Sequence, residues 1–221
     1  MGKLIVIEGL DGSGKQTQTK LLYEHLQKQG KDPMMISFPR YDMPSSALVR
    51  LYLGGGISDK ADEVNPYAAS MFFSADRYIS YMKEYRDAYN SGRIILADRY
   101  TTANALHQAS KLPPCKIDEY LDWLYDFEFC KLGLPKPDLV IYLDMPPEYS
   151  QALLSKRYNN DQTKKDIHEK DFAYLEKCYD NAAYVAKKLS FTTISCVMKG
   201  SVLPIEEIHA KILTKIEHVK I

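Results

Sequence analysis

A glycine-rich turn between an apolar strand and an amphipathic helix constrains this chain more than any other feature. The stretch IEGLDGSGKQTQTKLL, residues 7–22, fits the pattern G-x-x-x-x-G-K, with Gly9, Gly14 and Lys15 in place and Gly12 inside. The pattern alone is weak, but here it follows a strand and opens a helix, where backbone N–H groups and the helix N-terminus hold a polyphosphate. The sequence therefore predicts a phosphate-binding loop. The alternative is a glycine-rich turn with a solvated lysine.

The residue after the lysine is unusual for such a loop. Gln16 stands where a magnesium-binding hydroxyl is expected, and its longer amide would have to fold back to offer an oxygen. Thr17 lies about 100° further round the helix, so it should face a different phosphate oxygen. The nearest carboxylates are Asp11, inside the loop, and Asp98, at the end of the third predicted strand. These two aspartates are the nearest candidates to hold a Mg²⁺ ion.

The rest of the chain alternates predicted strands and helices. Five short apolar runs indicate strands, and four are almost continuously apolar, as in parallel strands covered on both faces: residues 4–8, 33–38, 94–97, 139–143 and 191–197. A first helix is indicated by Leu22 and Leu26 before a cap at Gly30. A second begins at Asn65 and Pro66 and carries an apolar stripe of Phe72, Ala75, Ile79 and Met82. An isoleucine-rich stripe after Pro204 indicates a last helix. We predict a doubly wound α/β fold, a parallel five-stranded sheet with helices on both faces.

Composition and charge limit the classes of protein. A chain of 221 residues, 45% hydrophobic, is expected to form a single domain spanning residues 1–221. Its 29 basic and 29 acidic residues balance, which predicts no nucleic-acid partner and no anionic membrane. No apolar run is long enough to span a bilayer, and the four cysteines show no paired spacing. We expect a soluble, cytoplasmic protein.

Two further pairs of residues point to the same edge of the predicted sheet. Asp98 and Arg99 end the third strand, where a structural ion pair is one reading and a phosphoryl-transfer site with an anion clamp is the other. Phe73 and Arg77 lie one helical turn apart, which suits stacking a flat heterocycle and hydrogen-bonding its edge. The alternative is that Phe73 is ordinary core and Arg77 is solvated.

Two loops add cations. Arg40 and Tyr41 follow the second strand in FPRYD, where an ordinary surface loop is the alternative. A basic stretch at about residues 155–168 contains Lys156, Arg157 and further lysines. It is either a solvated loop or a lid that brings cations over a transferring phosphoryl group and excludes water.

Taken in order, EGLDGSGK, FPRYD, FFSADRY, DRYTTANALHQ, GLPKPDLVIYLD and the basic stretch resemble the thymidylate kinase family, over about residues 3–200. The resemblance implies a P-loop kinase fold with a lid segment, Mg²⁺ with ATP as phosphoryl donor, dTMP as acceptor, dTDP as product and a homodimer. It implies that ATP is bound by Gly9, Asp11, Gly12, Ser13, Gly14, Lys15, Gln16 and Thr17. It implies that dTMP is bound by Asp11, Arg40, Tyr41, Phe73, Arg77, Arg99, Asn104 and Gln108. The catalytic group would be Lys15, Asp98, Arg99 and Arg157, with Asp11 and Asp98 toward the metal.

This chain departs from the family pattern in three places. Gln16 replaces the usual hydroxyl residue, and His107 stands where an aromatic or small residue is more familiar. The loop also lacks the basic residue that some relatives carry between the glycines, so we expect a lid cation such as Arg157 to supply that charge. Alternative functions are a deoxynucleoside kinase, another nucleoside monophosphate kinase, and a P-loop protein that binds nucleotide without catalysis.

Overall fold

The structure is a computed structural model that describes residues 1–60, 62–157, 168 and 171–217, with the backbone only of residues 156 and 157. Its centre is a five-stranded parallel sheet in the order β2-β3-β1-β4-β5. The strands are β1 (Lys3–Gly9), β2 (Met34–Ser37), β3 (Ile94–Asp98), β4 (Leu139–Asp144) and β5 (Thr192–Ser195). All five predicted strands are thus confirmed. The fifth is shorter than predicted because Val197–Met198 turns away and pairs antiparallel with Ser201–Val202.

Helices connect the strands. They are α1 (Lys15–Lys28), α2 (Ala47–Leu53), α3 (Pro66–Ser80), α4 (Arg86–Asn90), α5 (Thr101–His107), α6 (Pro114–Tyr125), α7 (Pro147–Arg157), α8 (Phe172–Lys188) and α9 (Ile205–Ile216). Two π-helical turns, Tyr81–Tyr85 and Asp126–Lys131, continue α3 and α6. In the described part of the chain, no helix has the length and apolar character that crossing a membrane requires.

The predicted helix ends rest on specific hydrogen bonds. The side chain of Asn65 caps α3 by accepting from the backbone N–H groups of Tyr67 at 2.9 Å and Ala68 at 3.3 Å. Gly30, at φ +76°, ends α1, and its N–H donates to the carbonyl of Gln27 at 2.9 Å. A left-handed residue just past the last helical turn is where glycine replaces other residues at least cost.

Both faces of the sheet are covered, as predicted. On one face, Ile5 and Ile7 pack against side chains of α1 and α9, including Leu22, Leu26 and Ile212. On the other face, Leu4, Val6, Ile95 and Ala97 pack with Tyr85, Tyr100 and Phe129. The alternation of adjacent strand residues between the two clusters follows from the two-residue period of a strand.

The apolar stripe of α3 does not face the core. Ile79 and Met82 are 40% and 41% exposed, and Phe72 is half-buried, whereas Ser74 and Arg77 on the same helix are buried. The periodicity correctly predicted a helix, but it did not indicate which side is covered. The polar side is buried because a carboxylate, Glu128, lies beneath it and accepts hydrogen bonds from both Ser74 and Arg77.

Candidate active site

The glycine-rich loop joins β1 to α1 at the carboxyl edge of the sheet. The carbonyl of Leu10 accepts from the N–H of Ser13 at 3.2 Å and from Nζ of Lys15 at 2.8 Å, so the lysine folds over its own loop. Burial, and then the nearby charge of Arg99, lower the pKa of Lys15. Gly14, at φ +89°, precedes the first turn of α1. An anion that draws Lys15 away from Leu10 would meet the backbone N–H groups of this turn.

Gly12 is required by packing. Its φ is +80°, and an added Cβ would lie 2.5 Å from the carbonyl oxygen of Ser150 and 2.9 Å from Cγ of Leu154. Both residues belong to α7, so the loop rests directly on that helix. The sequence predicted a glycine that lets phosphate approach, and the contact with α7 is a second reason that only tertiary structure reveals.

Three side chains form a connected group beside the loop. Nη2 of Arg99 donates to Asp11 in an ion pair, and Nη1 of Arg99 lies 3.1 Å from Nε2 of His107. Since a guanidinium only donates, Nε2 of His107 accepts and its proton resides on Nδ1. Burial and the charge of Arg99 lower the pKa of His107 to about 3. His107 is therefore a neutral acceptor that helps to orient Arg99.

The same group fixes the charge of the loop aspartate. Burial alone would raise the pKa of Asp11, but the positive charges of Arg99 and Lys15 outweigh it and hold the pKa below its usual range. Burial disfavours the charge of Arg99, yet Asp11 and Glu8 raise its pKa. Asp11 and Arg99 are thus both charged at neutral pH.

Arg99 has an unusual backbone conformation. It follows the last residue of β3 with φ +66°, in the left-handed region that non-glycine residues seldom adopt, and its N–H donates to the carbonyl of Ile7 at 3.1 Å. Such conformations persist where the surrounding structure imposes them, and they cluster at functional sites.

The carboxylates available for a cation are Asp11 and Asp98, which line the same pocket. Within the described residues there is no group of three or more metal-ligating side chains. A site with two carboxylates suits Mg²⁺, which keeps several waters and is usually bound through one or two carboxylates plus substrate phosphates. Gln16 and Thr17 are exposed on the first turn of α1, and both line this pocket.

The other end of the pocket contains the predicted aromatic and arginine pair. Phe73 and Arg77 both line it, and the ring of Phe73 meets Tyr52 edge-on at 6.1 Å between centroids. Arg77 is 1% exposed, so the alternative of a solvated arginine is wrong. Asn104 and Gln108, from α5 and the residue after it, are buried in the same lining.

Arg40 takes a different position from its predicted partner residues. Its guanidinium forms an ion pair with Glu84, and its backbone N–H donates to Asp76 at 2.8 Å. It is not among the residues that line the pocket, whereas Tyr41 is. Arg50 of α2 also lines the pocket and was not predicted.

Further residues in the pocket or buried near it escaped sequence reasoning. Gln18 is buried and donates from Nε2 to the carbonyl of Ile205 at 2.9 Å. Glu8 is fully buried and accepts from the hydroxyl of Thr102 at 2.6 Å, and burial raises its pKa. Glu128, which is also buried, does carry a sequence signal, because it is a single acid between two phenylalanines in DFEFC.

His168 lies at the end of the predicted lid. Its ring stacks on His107 at 5.7 Å and 15°, and its Nε2 is 2.9 Å from the hydroxyl oxygen of Tyr52. Burial and the nearby His107 lower its pKa well below the usual value. Residues 158–167 of the lid and the side chain of Arg157 lie outside the described residues, so the role assigned to Arg157 stays a prediction.

The pocket is a single cavity of about 1050 Å³. Its lining includes the loop from Asp11 to Thr17, the strand end at Asp98 and Arg99, and the Phe73 and Arg77 pair. That volume is at the upper end for small-molecule sites, which commonly enclose roughly 300–1,000 Å³. The lining thus brings a glycine-rich loop with a lysine and an aromatic and arginine pair into the same cavity.

Comparison with known proteins agrees with this arrangement. The family model for thymidylate kinase matches residues 7–212. A probable thymidylate kinase from Thermococcus onnurineus is 31% identical over 97% of this chain and 97% of its own length, and a thymidylate kinase from Plasmodium falciparum is 29% identical over 100% and 92%. A solved structure of thymidylate kinase from Candida albicans, 23% identical, has a TM-score of 0.69 and covers 98% of this chain and 91% of that one. The chain belongs to the thymidylate kinase family.

Proposed function

We propose that this cavity carries out the reaction of the family, in-line transfer of the γ-phosphoryl group of ATP to the phosphate of dTMP, giving dTDP and ADP. The observation that carries the proposal is the shared lining. The phosphate loop, Asp98 with Arg99, and the Phe73 and Arg77 pair all contribute to one cavity. A kinase that transfers a phosphoryl group from one nucleotide to another needs both bound in a single site that excludes water.

The donor is assigned to the loop from Gly9 to Thr17. Backbone N–H groups from Gly12 to Gly14 surround the β- and γ-phosphates, and the hydroxyl of Thr17 lies near the α-phosphate. Lys15, which donates to Leu10 in this structure, exchanges that carbonyl for phosphate oxygen. The exchange is favourable because an ammonium binds a charged oxygen more strongly than a neutral one.

Mg²⁺ is assigned to Asp11, Asp98, water and the phosphates. When bound, the ion neutralises charge on the phosphate oxygens. Asp98 ends β3 within electrostatic reach of Lys15 and Arg99, so its charge is balanced in this site. Asp11 is paired with Arg99, so the same carboxylate would serve both this cation and the metal.

The acceptor is assigned to the other end. Phe73 stacks on the thymine ring, Arg77 donates to its edge, and Asn104 and Gln108 line the slot. Tyr41 closes against the deoxyribose. Arg99 holds the acceptor phosphate, since its guanidinium is already oriented by Asp11 and His107.

Arg40 is assigned to the same phosphate. To reach it, Arg40 must leave Glu84, so its contribution depends on a rearrangement of the loop after β2. The lid and Arg157 supply a further cation to the transferring group.

Catalysis in this scheme comes from positioning and charge neutralisation. The acceptor phosphate is largely a dianion near neutral pH and needs no general base. His107 is neutral and already accepts from Arg99, which suits it to orient the anion clamp.

The interface of a homodimer is assigned to the exposed side of α3. Met71, Tyr78 and Met82 recur on one side of this helix and its continuation, and they are 54%, 37% and 41% exposed. A cluster of apolar side chains on a helix face supports association. Light scattering coupled to size exclusion tests it, with M71K/M82K as the variant expected to be monomeric.

One experiment separates this proposal from its rivals. ATP consumption with Mg²⁺ is measured against dTMP, dUMP, UMP, CMP and thymidine. Preference for dTMP supports the assignment. Preference for thymidine indicates a deoxynucleoside kinase, a ribonucleotide preference indicates another nucleoside monophosphate kinase, and ATP binding without turnover indicates a binding protein.

A further inference from the structure

A fully buried carboxylate, Glu128, lies beneath the acceptor end of the pocket. It belongs to the π-helical turn Asp126–Lys131, distant in sequence from the helices it contacts. Its oxygens accept from Nε of Arg77 at 2.8 Å and from Nη2 of the same guanidinium. They also accept from the hydroxyls of Ser74 at 2.7 Å and Thr101 at 2.5 Å, with Nδ2 of Asn104 at 3.4 Å.

This arrangement is poorly explained by stability alone. Removing a carboxylate and a guanidinium from water is unfavourable, and apolar side chains of similar volume often stabilise a core as well or better. Arg77 and Glu128 are 1% and 0% exposed, so the cost applies to both. A buried, multiply bonded charge that supports a pocket residue fits a role in holding that residue in place.

The bonds fix the direction of Arg77. A guanidinium is planar, and Glu128 binds it along the side that carries Nε and Nη2. This leaves Nη1 as the nitrogen without a hydrogen-bond partner among the described residues. Because Arg77 lines the pocket, Nη1 provides the N–H groups available to a ligand.

The same carboxylate reaches a second element of the acceptor site. Thr101 and Asn104 belong to α5, whose first residue comes two positions after Arg99. Ser74 and Arg77 belong to α3. Glu128 therefore links the two helices that contribute the acceptor end of the lining, and none of its bonds involves the phosphate loop in the described structure.

We propose that Glu128 is a positioning residue, which orients Arg77 so that Nη1 donates to a carbonyl oxygen on the base of the acceptor nucleotide. Glu128 is fully buried and acts through Arg77, not on the substrate directly. The inference rests on the proposed function, in which the Arg77 end of the pocket binds the acceptor base. It predicts an effect confined to the acceptor, whereas a general structural role would affect both substrates.

The test uses E128Q in the full chain, with steady-state kinetics for each substrate. Because a hydrogen bond to a charged partner contributes about 1.5–3 kcal/mol, we expect KM for dTMP to rise on the order of tenfold or more, and KM for ATP to stay within about twofold. R77K, which keeps the charge but loses the planar fork, provides the background for a double-mutant cycle. In R77K, adding E128Q should change KM for dTMP little further.

Y120F is the matched control. It removes a buried hydroxyl of α6, which lies 2.6 Å from the hydroxyl of Ser70 on α3 and 3.4 Å from the backbone carbonyl of Asn104 on α5, and it leaves every hydrogen bond between Glu128 and Arg77 in place. We expect both KM values of Y120F to match the wild type. If E128Q unfolds, E128D keeps the charge with a shorter reach, and its KM for dTMP should rise selectively.

Several outcomes overturn the proposal. They are an unchanged KM for dTMP in folded E128Q, a parallel rise of KM for ATP, additivity with R77K, or failure of both E128Q and E128D to fold. A wild-type protein that does not phosphorylate dTMP refutes the proposed function instead, which separates the two failures.

Discussion

Acidification should destabilise this protein through His107, the buried imidazole that accepts from Arg99. Its pKa in the folded protein is about 3, against about 6.5 in an unfolded chain. Because the folded pKa is lower, the unfolded state takes up the proton first as the pH falls. The contribution of His107 is therefore complete above about pH 6.5 and is lost progressively toward about pH 3. Between about pH 7.5 and pH 5, the loss amounts to about 2 kcal/mol in the free energy of unfolding.

The matched variant is H107F, which keeps a planar ring against His168 but cannot take up a proton. Equilibrium urea unfolding of both proteins is measured at both pH values. Groups far from His107 titrate in both proteins and cancel in the comparison. We expect the wild type to lose about 2 kcal/mol more than H107F on acidification. Equal losses would show that His107 is solvated or protonated in the folded state, and they would contradict its position as a buried, neutral acceptor beside Arg99.

Three substitutions test the loop, the metal side and the clamp. G12A should abolish tight ATP binding because its Cβ would collide with the carbonyl of Ser150. G92A, also at positive φ but with open space around the Cβ, is the control and should keep wild-type ATP affinity in equilibrium binding. Equal affinities of the two variants would contradict the packing of the loop on α7. D98N should lower kcat about a hundredfold at saturating substrate, the usual size of effect when one group that stabilises transition-state charge is removed from an active site. Its melting temperature should stay near that of the wild type. An unchanged kcat would show that Asp98 does not act at the transfer centre. R40A should raise KM for dTMP and leave KM for ATP unchanged, and no change in either would mean that Arg40 stays on Glu84 throughout.

The sheet was predictable because its central strands, β1 and β3, are buried on both faces. Runs such as LIVIE and IILAD have little alternation, and this pattern requires helices above and below. The orientation of α3 was not predictable in the same way. Its apolar stripe lies at the surface because a charged residue from a distant segment, Glu128, binds its polar side.

The residues of the pocket show the same difference between what a local sequence pattern predicts and what distant contacts decide. The position of Asp98 and Arg99 at the pocket was predictable because a parallel sheet brings its strand ends to one edge, and that of the glycine-rich loop because its sequence pattern is local. Glu128 is 51 residues from Arg77, and His168 is 116 residues from Tyr52. Neither pairing has a local signature, since both are set by the packing of separate helices.

The most direct test of the proposed reaction is a phosphorus NMR time course of the purified protein with ATP, Mg²⁺ and dTMP. We expect the dTMP signal to decline while the two phosphate signals of dTDP grow, in step with ADP and without free inorganic phosphate. Release of inorganic phosphate with dTMP unchanged would contradict it, because the cavity would then bind ATP without bringing an acceptor phosphate to it.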